Sequence, residues 1–248
     1  MIMRIAILTD IHANREAMEA VLEAVAALAP NRLAVLGDIV GYGPDPVYAV
    51  ERVAGLVANG ALCILGNHDE AALLPRAGMT PNAEEAMRWT RRQLGADHLS
   101  FLAGLKLTAE IEDALFVHAS ASNPGKWPYL NDSDAAARCL AACAAKLVFC
   151  GHTHVPAIYY GRAGRKPVHF APLPNRPAPL SALHRHVVVV GSVGQPRDGN
   201  PAACFALLDT KAATVTMQRV PYDTRETHRK IAAAGLPDWL GLRLHIGR

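Results

Sequence analysis

Seven residues that could bind metal ions lie in five short motifs, and each motif directly follows an apolar run. They are Asp10, His12, Asp38, Asn67, His118, His152 and His154. Short apolar runs are typical of buried parallel strands, and ligands in open α/β sheets collect at the carboxyl ends of such strands. If the five runs are neighbours in a sheet, all seven side chains share one rim. Seven oxygen and nitrogen donors exceed what one ion needs and suit two ions.

The chemical types of these donors favour particular metals. Carboxylates, imidazoles and one amide oxygen, without a thiolate, suit the borderline divalent ions Mn, Fe, Ni, Co and Zn. Mg is a weaker candidate because it prefers oxygen ligands and retained waters. Two ions ~3.5–4 Å apart can clamp the attacking and leaving oxygens of an in-line displacement, and they lower the pKa of a bound water. The donor set therefore predicts hydrolysis of a phosphate ester.

Each motif taken singly has an ordinary structural explanation. Asp-x-His after a strand could be a helix cap beside a surface histidine, and His118 alone could be a partly buried histidine. The segment 66–69, Gly-Asn-His-Asp, is more specific than a turn requires. In the segment 151–154, Gly-His-Thr-His, both histidines reach one centre only if the backbone turns there, because alternate side chains of an extended segment point to opposite sides. Five such motifs at five strand ends favour a metal site.

Composition restricts the class of protein. The chain has 248 residues, 51% of them hydrophobic and 19% charged, which fits one large α/β domain or two small ones with a substantial core. The net charge of +3 is too mild to indicate nucleic-acid binding by itself. The five cysteines match neither a disulfide framework nor a zinc motif, which favours a reducing compartment. Without a signal-peptide pattern or an apolar run of ~20 residues, we expect a cytoplasmic protein with no membrane partner.

The elements between the motifs predict alternating strands and helices. We predict a helix from Asn14 to about Leu28 after the first strand, and a second helix over about 47–58 before the third strand. This βαβαβ order favours a parallel sheet with right-handed crossovers. Five strand-like runs predict a second, more antiparallel sheet: 146–150, 156–160, 187–190, 203–208 and 213–219.

A mostly helical insertion at about 70–112 separates the third motif from the strand before His118. Within it we predict a helix from Asn82 to Leu94, with Asn82 and Glu85 at capping-box spacing, and a short helix from Ser100. The proline-rich segment 172–179 is predicted to be a loop. No linker divides the chain convincingly, so we predict a single domain over residues 1–248.

The five motifs, in their order, resemble the motif blocks of the calcineurin-like metallophosphoesterase superfamily. The resemblance covers nearly the whole chain, and the segments 37–44, 89–91 and 191–199 are similar to the compact bacterial and archaeal phosphodiesterase branch. It implies an α/β (α+β) fold, a two-sheet β-sandwich flanked by helices, and a cofactor of two divalent metal ions.

The resemblance also implies a division of labour among the site residues. One ion would be held by Asp10, His12, Asp38 and His154, and the other by Asp38, Asn67, His118 and His152, with Asp38 as the bridge. His68 would face the substrate and protonate the leaving alkoxide instead of binding metal. Asp69 would orient His68, because a carboxylate partner fixes the tautomer of an imidazole.

The residues that contact substrate are less clearly indicated. Arg197, in a loop flanked by glycine and proline, and Arg15, near the start of the first helix, are candidate phosphate contacts. Trp127 and Tyr129 could stack a base or pack their loop, and we interpret them as packing residues.

Three functions are compatible with these residues. The leading hypothesis is a dinuclear phosphodiesterase or phosphatase acting on small phosphate esters, nucleotides among them. A nuclease would need a basic channel interleaved with aromatic residues, which this mildly charged chain does not show. A catalytically silent scaffold of the same fold could have lost ligands or His68, and here all of them are present.

Overall fold

The computed structural model describes residues 3–75 and 78–248, in which strands and helices alternate. The strands are β1 (Arg4–Leu8), β2 (Arg32–Val35), β3 (Leu62–Cys63), β4 (Thr108–Ile111), β5 (Ala114–Val117), β6 (Leu147–Cys150), β7 (Ala157–Gly161), β8 (Val168–Phe170), β9 (Pro177–Pro179), β10 (Arg185–Val189), β11 (Ala203–Asp209) and β12 (Thr214–Val220). The helices are α1 (Arg15–Leu28), α2 (Pro46–Ala58), α3 (Asn67–Leu73), α4 (Pro81–Gln93), α5 (Ala96–Ala103), α6 (Ser133–Ala141), α7 (Thr224–Ala233) and α8 (Trp239–Leu242).

The first sheet has the strand order β3-β2-β1-β11-β12-β9. Strands β1, β2 and β3 are parallel, as the βαβαβ pattern predicts. Strand β11 pairs antiparallel with the other edge of β1, and β12 and β9 follow in antiparallel pairs. The prediction that the runs 203–208 and 213–219 belong to the second sheet is therefore wrong. Strand β11 instead supplies the hydrogen-bond partners that the open edge of the buried β1 requires.

The second sheet has the strand order β4-β5-β6-β10-β7-β8. Strands β5, β6 and β10 are parallel, and the other described pairs are antiparallel. The first sheet has the same mixture of pairings, so the second sheet is not the more antiparallel of the two, contrary to the prediction. A long-range pairing of this kind is set by packing and is invisible in the local sequence pattern.

Apolar side chains fill the space between the two sheets and both outer faces. Ile7 of the first sheet packs with Phe116 and Phe149 of the second, whose rings stack with centroids 5.5 Å apart. Helices α1 and α2 cover the outer face of the first sheet, and α6 covers that of the second. The predicted α/β (α+β) class, a two-sheet sandwich flanked by helices, is confirmed.

Helix boundaries agree with the predictions where a cap is unambiguous. The side chain of Asn14 accepts a hydrogen bond from the Ala17 backbone N–H at 3.1 Å and begins α1, as predicted. Helix α4 begins earlier than predicted, because Thr80 is the N-cap and accepts from Ala83, and the predicted capping box at Asn82 is wrong. Helix α5 likewise begins at Ala96 and not at Ser100.

Two segments contain more strand than predicted. The helical insertion predicted for residues 70–112 ends in β4, which pairs with β5, and its residues 76 and 77 lie outside the described part of the chain. The proline-rich segment 172–179 ends in β9, which pairs with β12 at the edge of the first sheet. Prolines are tolerated there because an edge strand has one side without hydrogen-bond partners.

Across residues 3–75 and 78–248, no helix combines the length and the hydropathy needed to cross a bilayer.

Candidate metal centre

The five motifs meet at a rim that both sheets build. The motifs after β1, β2 and β3 come from the first sheet, and those after β5 and β6 come from the second. The candidate ligands therefore lie on a rim formed by two facing sheets, and not on the edge of one sheet as the sequence suggested. All seven predicted ligands lie in this rim, and Asn67 is half-buried while the other six are buried.

One group of donors consists of Asp10, His12 and His154. The His154 Nε2 lies 3.1 Å from Asp10 Oδ1 and 3.1 Å from His12 Nε2. The His12 Nε2 lies 3.7 Å from the same Asp10 oxygen. One ligand atom from each residue is within 4.8 Å of the others, a spacing that a single ion can bridge.

A second group consists of Asp38, His118 and His152, with Asn67 beside it. The His118 Nε2 lies 3.4 Å from Asp38 Oδ2 and 3.0 Å from Asn67 Oδ1. The rings of His118 and His152 are 5.2 Å apart, and the buried Nε2 of His152 has no hydrogen-bond partner. A bare, buried imidazole nitrogen next to a carboxylate is what a cation site requires.

Asp38 joins the two groups. Its Oδ2 lies 3.7 Å from His12 Nε2 in the first group and 3.4 Å from His118 Nε2 in the second. Burial alone would raise the pKa of Asp38, but the imidazoles of His118 and His68 hold it well below the usual range. The carboxylate is therefore ionised and faces both groups.

Backbone carbonyls fix the tautomer of three of the histidines. The Nδ1 atoms lie 3.2 Å from Val40 O for His12, 2.7 Å from Leu36 O for His118 and 2.6 Å from Gln195 O for His154. A carbonyl only accepts, so each Nδ1 carries a proton, and each Nε2 offers a lone pair whenever the ring is neutral. The lone pairs of His12 and His154 then face each other at 3.1 Å, an arrangement that a cation would stabilise.

Burial controls the charge of these imidazoles. It lowers the pKa of His152 to about 3 and holds the pKa of His12 well below its usual value. Burial and the nearby Arg197 also lower the pKa of His154. His118 differs, because the Asp38 carboxylate outweighs burial and raises its pKa to about 9. Three of the four histidines are thus neutral near pH 7, the form that binds metal.

The backbone at the candidate ligands is strained. Positive φ angles, in the left-handed region, occur at Asp10 (54°), His12 (50°), Asp38 (50°), His152 (66°) and His154 (61°). Non-glycine residues in this region cost on the order of 1–3 kcal/mol each and cluster at functional sites. Because the backbone turns at these residues, side chains two positions apart can point to the same centre. His152 and His154 do so, as the sequence required of them.

Two glycines give the ligands the space they occupy. A Cβ at Gly66 would collide with the backbone and carboxylate of Asp38, and a Cβ at Gly151 would collide with Thr9 and Asp10. Glycine in the third and fifth motifs therefore permits a close approach between strand ends.

His68 lies beside the donors. Its backbone N–H donates to Asp38 Oδ1 at 2.8 Å, and its ring is 4.9 Å from that of His12. The ring is buried, and its Nδ1 has no hydrogen-bond partner and faces the backbone at Gly41. A ligand atom of His68 also falls within 4.8 Å of donors from His12 and Asp38, so proximity alone does not separate it from the ligands.

Asp69 does not orient His68, which corrects the prediction. Its Oδ1 accepts from the backbone N–H groups of Ile39 (2.9 Å) and Val40 (3.2 Å), and its Oδ2 accepts from Gly66 (3.0 Å). The physical reason is helical geometry, because adjacent side chains in α3 diverge by roughly 100°. Asp69 instead ties the loop after β2 to the start of α3.

The two predicted arginines lie in different surroundings. Arg197 Nη2 donates to Gln195 Oε1 at 2.8 Å, and the guanidinium lies 5.7 Å from the centre of the Tyr42 ring. Its charge also lowers the pKa values of His68 and His154, after the larger effect of burial. Arg15 is exposed, and its guanidinium lies 4.2 Å over the ring of Tyr48 in α2. We therefore keep Arg197 and leave Arg15 out of the candidate site.

Tyr42 also lies at the candidate site, although it was not predicted from the sequence. Its ring lies 4.7 Å from that of His12 and 4.5 Å from that of His68. Tyr42 has a φ of 61° and lies between Gly41 and Gly43, four residues after Asp38. An aromatic residue flanked by glycines directly after a ligand motif is the signal that could have identified it.

The chain is similar to known proteins of one family. A model described as the calcineurin-like phosphoesterase superfamily domain matches residues 3–213. An uncharacterised protein of Methanocaldococcus jannaschii is 32% identical over 259 residues, with 98% of each chain covered. The crystal structure of a metallophosphoesterase from Sphaerobacter thermophilus is 38% identical, covers 100% of both chains and has a TM-score of 0.86. A hypothetical protein from Pyrococcus horikoshii OT3 (TM-score 0.79, 99% and 98% coverage) is 21% identical and supports the fold alone.

Proposed function

The chain belongs to the calcineurin-like phosphoesterase superfamily, and on this basis we propose that it is a dinuclear metal-dependent hydrolase of small phosphate esters. The observation that carries the proposal is the position of Asp38. Its Oδ2 faces an imidazole of each donor group, at 3.7 and 3.4 Å, as a carboxylate shared by two ions would.

The donors fit the division of ligands that the resemblance implies. One ion would be held by Asp10, His12, Asp38 and His154, and the other by Asp38, Asn67, His118 and His152. The fit is supported by the Nε2 lone pairs of the neutral His12 and His154 and by the absence of a thiolate among these donors, which favours Mn, Fe, Ni, Co or Zn. When bound, two such ions supply a water of lowered pKa and stabilise charge on the phosphoryl oxygens.

His68 is the proposed proton donor to the leaving oxygen. Its Nδ1 edge faces the backbone at Gly41, so Nε2 is the ring nitrogen available to a substrate. Burial lowers the pKa of His68 to about 4, and the ring is therefore neutral in the free protein near pH 7. An anionic phosphate ester beside the ring favours the protonated form, because an opposite charge raises the pKa of an imidazole.

Arg197 is the proposed contact for a non-reacting phosphoryl oxygen. Its guanidinium is close enough to His68 and His154 to lower the pKa values of both. The hydrogen bond to Gln195 fixes one nitrogen, while the buried Nε has no partner within the described structure. A planar guanidinium held in this way can recognise phosphate with its remaining donors.

Turnover by metal-loaded protein tests the proposal. We expect purified protein, stripped and reloaded with Mn, Fe, Ni or Zn, to hydrolyse aryl phosphodiesters or phosphomonoesters, and we expect Asp38→Asn to reduce kcat at least ~100-fold because both donor groups lose a shared carboxylate. The matched control is Asp97→Asn, an exposed aspartate of α5, which should leave kcat unchanged. If fully metal-loaded protein hydrolysed no ester, a catalytically silent scaffold would replace the proposal.

A further inference from the structure

An exposed tyrosine stands at the mouth of the candidate metal centre. Tyr129 is 57% exposed, and its ring stacks on that of His152 with centroids 4.3 Å apart and planes 22° apart. The prediction that Tyr129 is a packing residue does not fit a ring with this much solvent contact. One face of the ring covers a candidate metal ligand, and the stack leaves the other face for a further contact.

The backbone that carries Tyr129 is held firmly in place. Trp127 is buried, and its indole N–H donates to Glu70 Oε2 in α3 at 2.9 Å. The Trp127 ring also meets His118 edge to face at 5.7 Å. Trp127 has a left-handed backbone (φ 54°), which persists in a bulky residue only where the surroundings dictate it. An anchored loop thus presents an exposed aromatic ring at the site.

Tyr129 forms one wall of a pocket that opens beside the metal centre. The pocket holds about 210 Å³, with Met79 and Thr80 before α4 on another side and His68 and His152 at the ligand end. Among the described residues that line it there is no lysine, arginine, aspartate or glutamate. Arg197 is not part of this lining and lies over the Tyr42 ring. The pocket therefore suits an uncharged part of a substrate whose phosphate lies at the donor cluster.

We propose that Tyr129 is a substrate-stacking residue and that the pocket accepts a planar aromatic group, a nucleobase, of a nucleoside phosphate ester. The base would stack on the open face of Tyr129, extending the stack that begins at His152. Stacking on an aromatic side chain is worth roughly 1–3 kcal/mol per base and tolerates any base. The inference rests on the proposed function, because it places the phosphate at the metal centre, and it narrows the substrates to nucleotides.

A purely structural function of Tyr129 predicts different measurements. If the ring only supported His152, its removal would weaken metal binding and lower kcat for every substrate alike. If the ring stacks a base, its removal weakens the binding of nucleotides alone and leaves the metal content unchanged. A pair of ligands that differ only in the base separates these two possibilities.

Adenosine 5′-monophosphate and ribose 5-phosphate are such a pair. We expect calorimetry on the metal-loaded chain to show that the nucleotide binds roughly 5- to 150-fold more tightly than the sugar phosphate. Tyr129→Ala should bring this ratio close to one without changing the affinity for ribose 5-phosphate, and Tyr129→Phe should preserve the ratio. The control Phe170→Ala, at an exposed aromatic residue of β8, should leave both affinities unchanged.

The outcomes separate this inference from the proposed function. Equal affinities for the two ligands in the unaltered protein, or a ratio that survives Tyr129→Ala, would overturn the inference even if the protein hydrolyses phosphate esters. A loss of metal and of affinity for both ligands in Tyr129→Ala would assign the ring to the support of His152 and overturn it as well. Failure of the unaltered, metal-loaded protein to bind either phosphate would also overturn the inference, whereas the proposed function falls only if the metal-loaded protein hydrolyses no phosphate ester.

Discussion

At the scale of single residues, main-chain carbonyls set the chemistry of the histidines. Val40 O accepts from Nδ1 of His12, and the backbone N–H of Val40 donates to the carboxylate of Asp69. Asp69 is thereby connected to the first donor group through one loop residue. This explains why a carboxylate in the third motif supports the site without touching His68.

Replacing Asp69 tests this connection. We expect Asp69→Ala to lower the free energy of unfolding by about 3 kcal/mol, because three buried backbone N–H groups lose their acceptor. Urea denaturation of metal-free protein measures the change, with His68→Ala as the comparison, in which turnover falls while those three hydrogen bonds remain. An Asp69→Ala protein of unchanged stability that lost turnover as His68→Ala does would show that Asp69 acts through His68 after all.

The types of the ligand residues could be predicted from sequence, but some contacts could not. Carboxylates, imidazoles and one amide after apolar runs form a local pattern, and the structure brings the seven predicted donors together in one rim. The surroundings of Arg15 and Arg197 depend on the paths of two loops, which no local pattern records. The orientation of Asp69 was accessible in principle, since neighbouring side chains at the start of a helix point in different directions.

At the scale of elements, the turns that follow the strands position the candidate ligands. Left-handed residues after β1, β2 and β6 redirect the chain within a few residues, and glycines let the turns approach one another. The strain is offset by the packing of the strand that precedes each turn and of the helix or strand that follows it. Ligand geometry is therefore sensitive to small steric changes in these turns.

Gly66 provides a steric test. A Cβ there would collide with the main chain and carboxylate of Asp38, so we expect Gly66→Ala to displace that carboxylate and reduce kcat by about 100-fold, the cost of a displacement near 1 Å. Metal analysis should show a loss of bound ions in the same protein. Gly55→Ala in α2 is the matched control, because a Cβ there meets no atom within 4 Å and activity should persist. Full activity in Gly66→Ala would contradict the close approach of the two turns.

Element boundaries were predictable only where the capping chemistry was unique. Asn14 is the cap-type residue directly before α1, whereas Thr80 and Asn82 both precede the apolar positions of α4. Thr80 is the N-cap because Pro81 then occupies the first helical position, where a backbone N–H would have no partner within the helix. Asn82 and Glu85 have the spacing of a capping box, but they lie inside the helix and do not cap it.

At the scale of the whole molecule, the rim exists because two sheets face each other over one core. The sequence predicts two sheets and the three parallel strands, but not that β11 and β12 complete the first sheet. Their apolar residues suit either sheet. The pairing of β11 with β1, which lies about 200 residues earlier in the chain, assigns them to the first sheet. Because the two sheets face each other, His118 and His152 of the second sheet lie opposite Asp38 of the first. The edge of a single sheet would not bring them together in this way.

Anomalous diffraction from crystals of manganese-loaded protein tests the central claim most directly. Two ions shared by Asp38 predict two anomalous peaks per chain about 4 Å apart, one beside Asp10, His12 and His154 and one beside Asn67, His118 and His152, with the Asp38 carboxylate between them. A single peak, or two peaks of which one does not contact Asp38, would contradict the dinuclear centre.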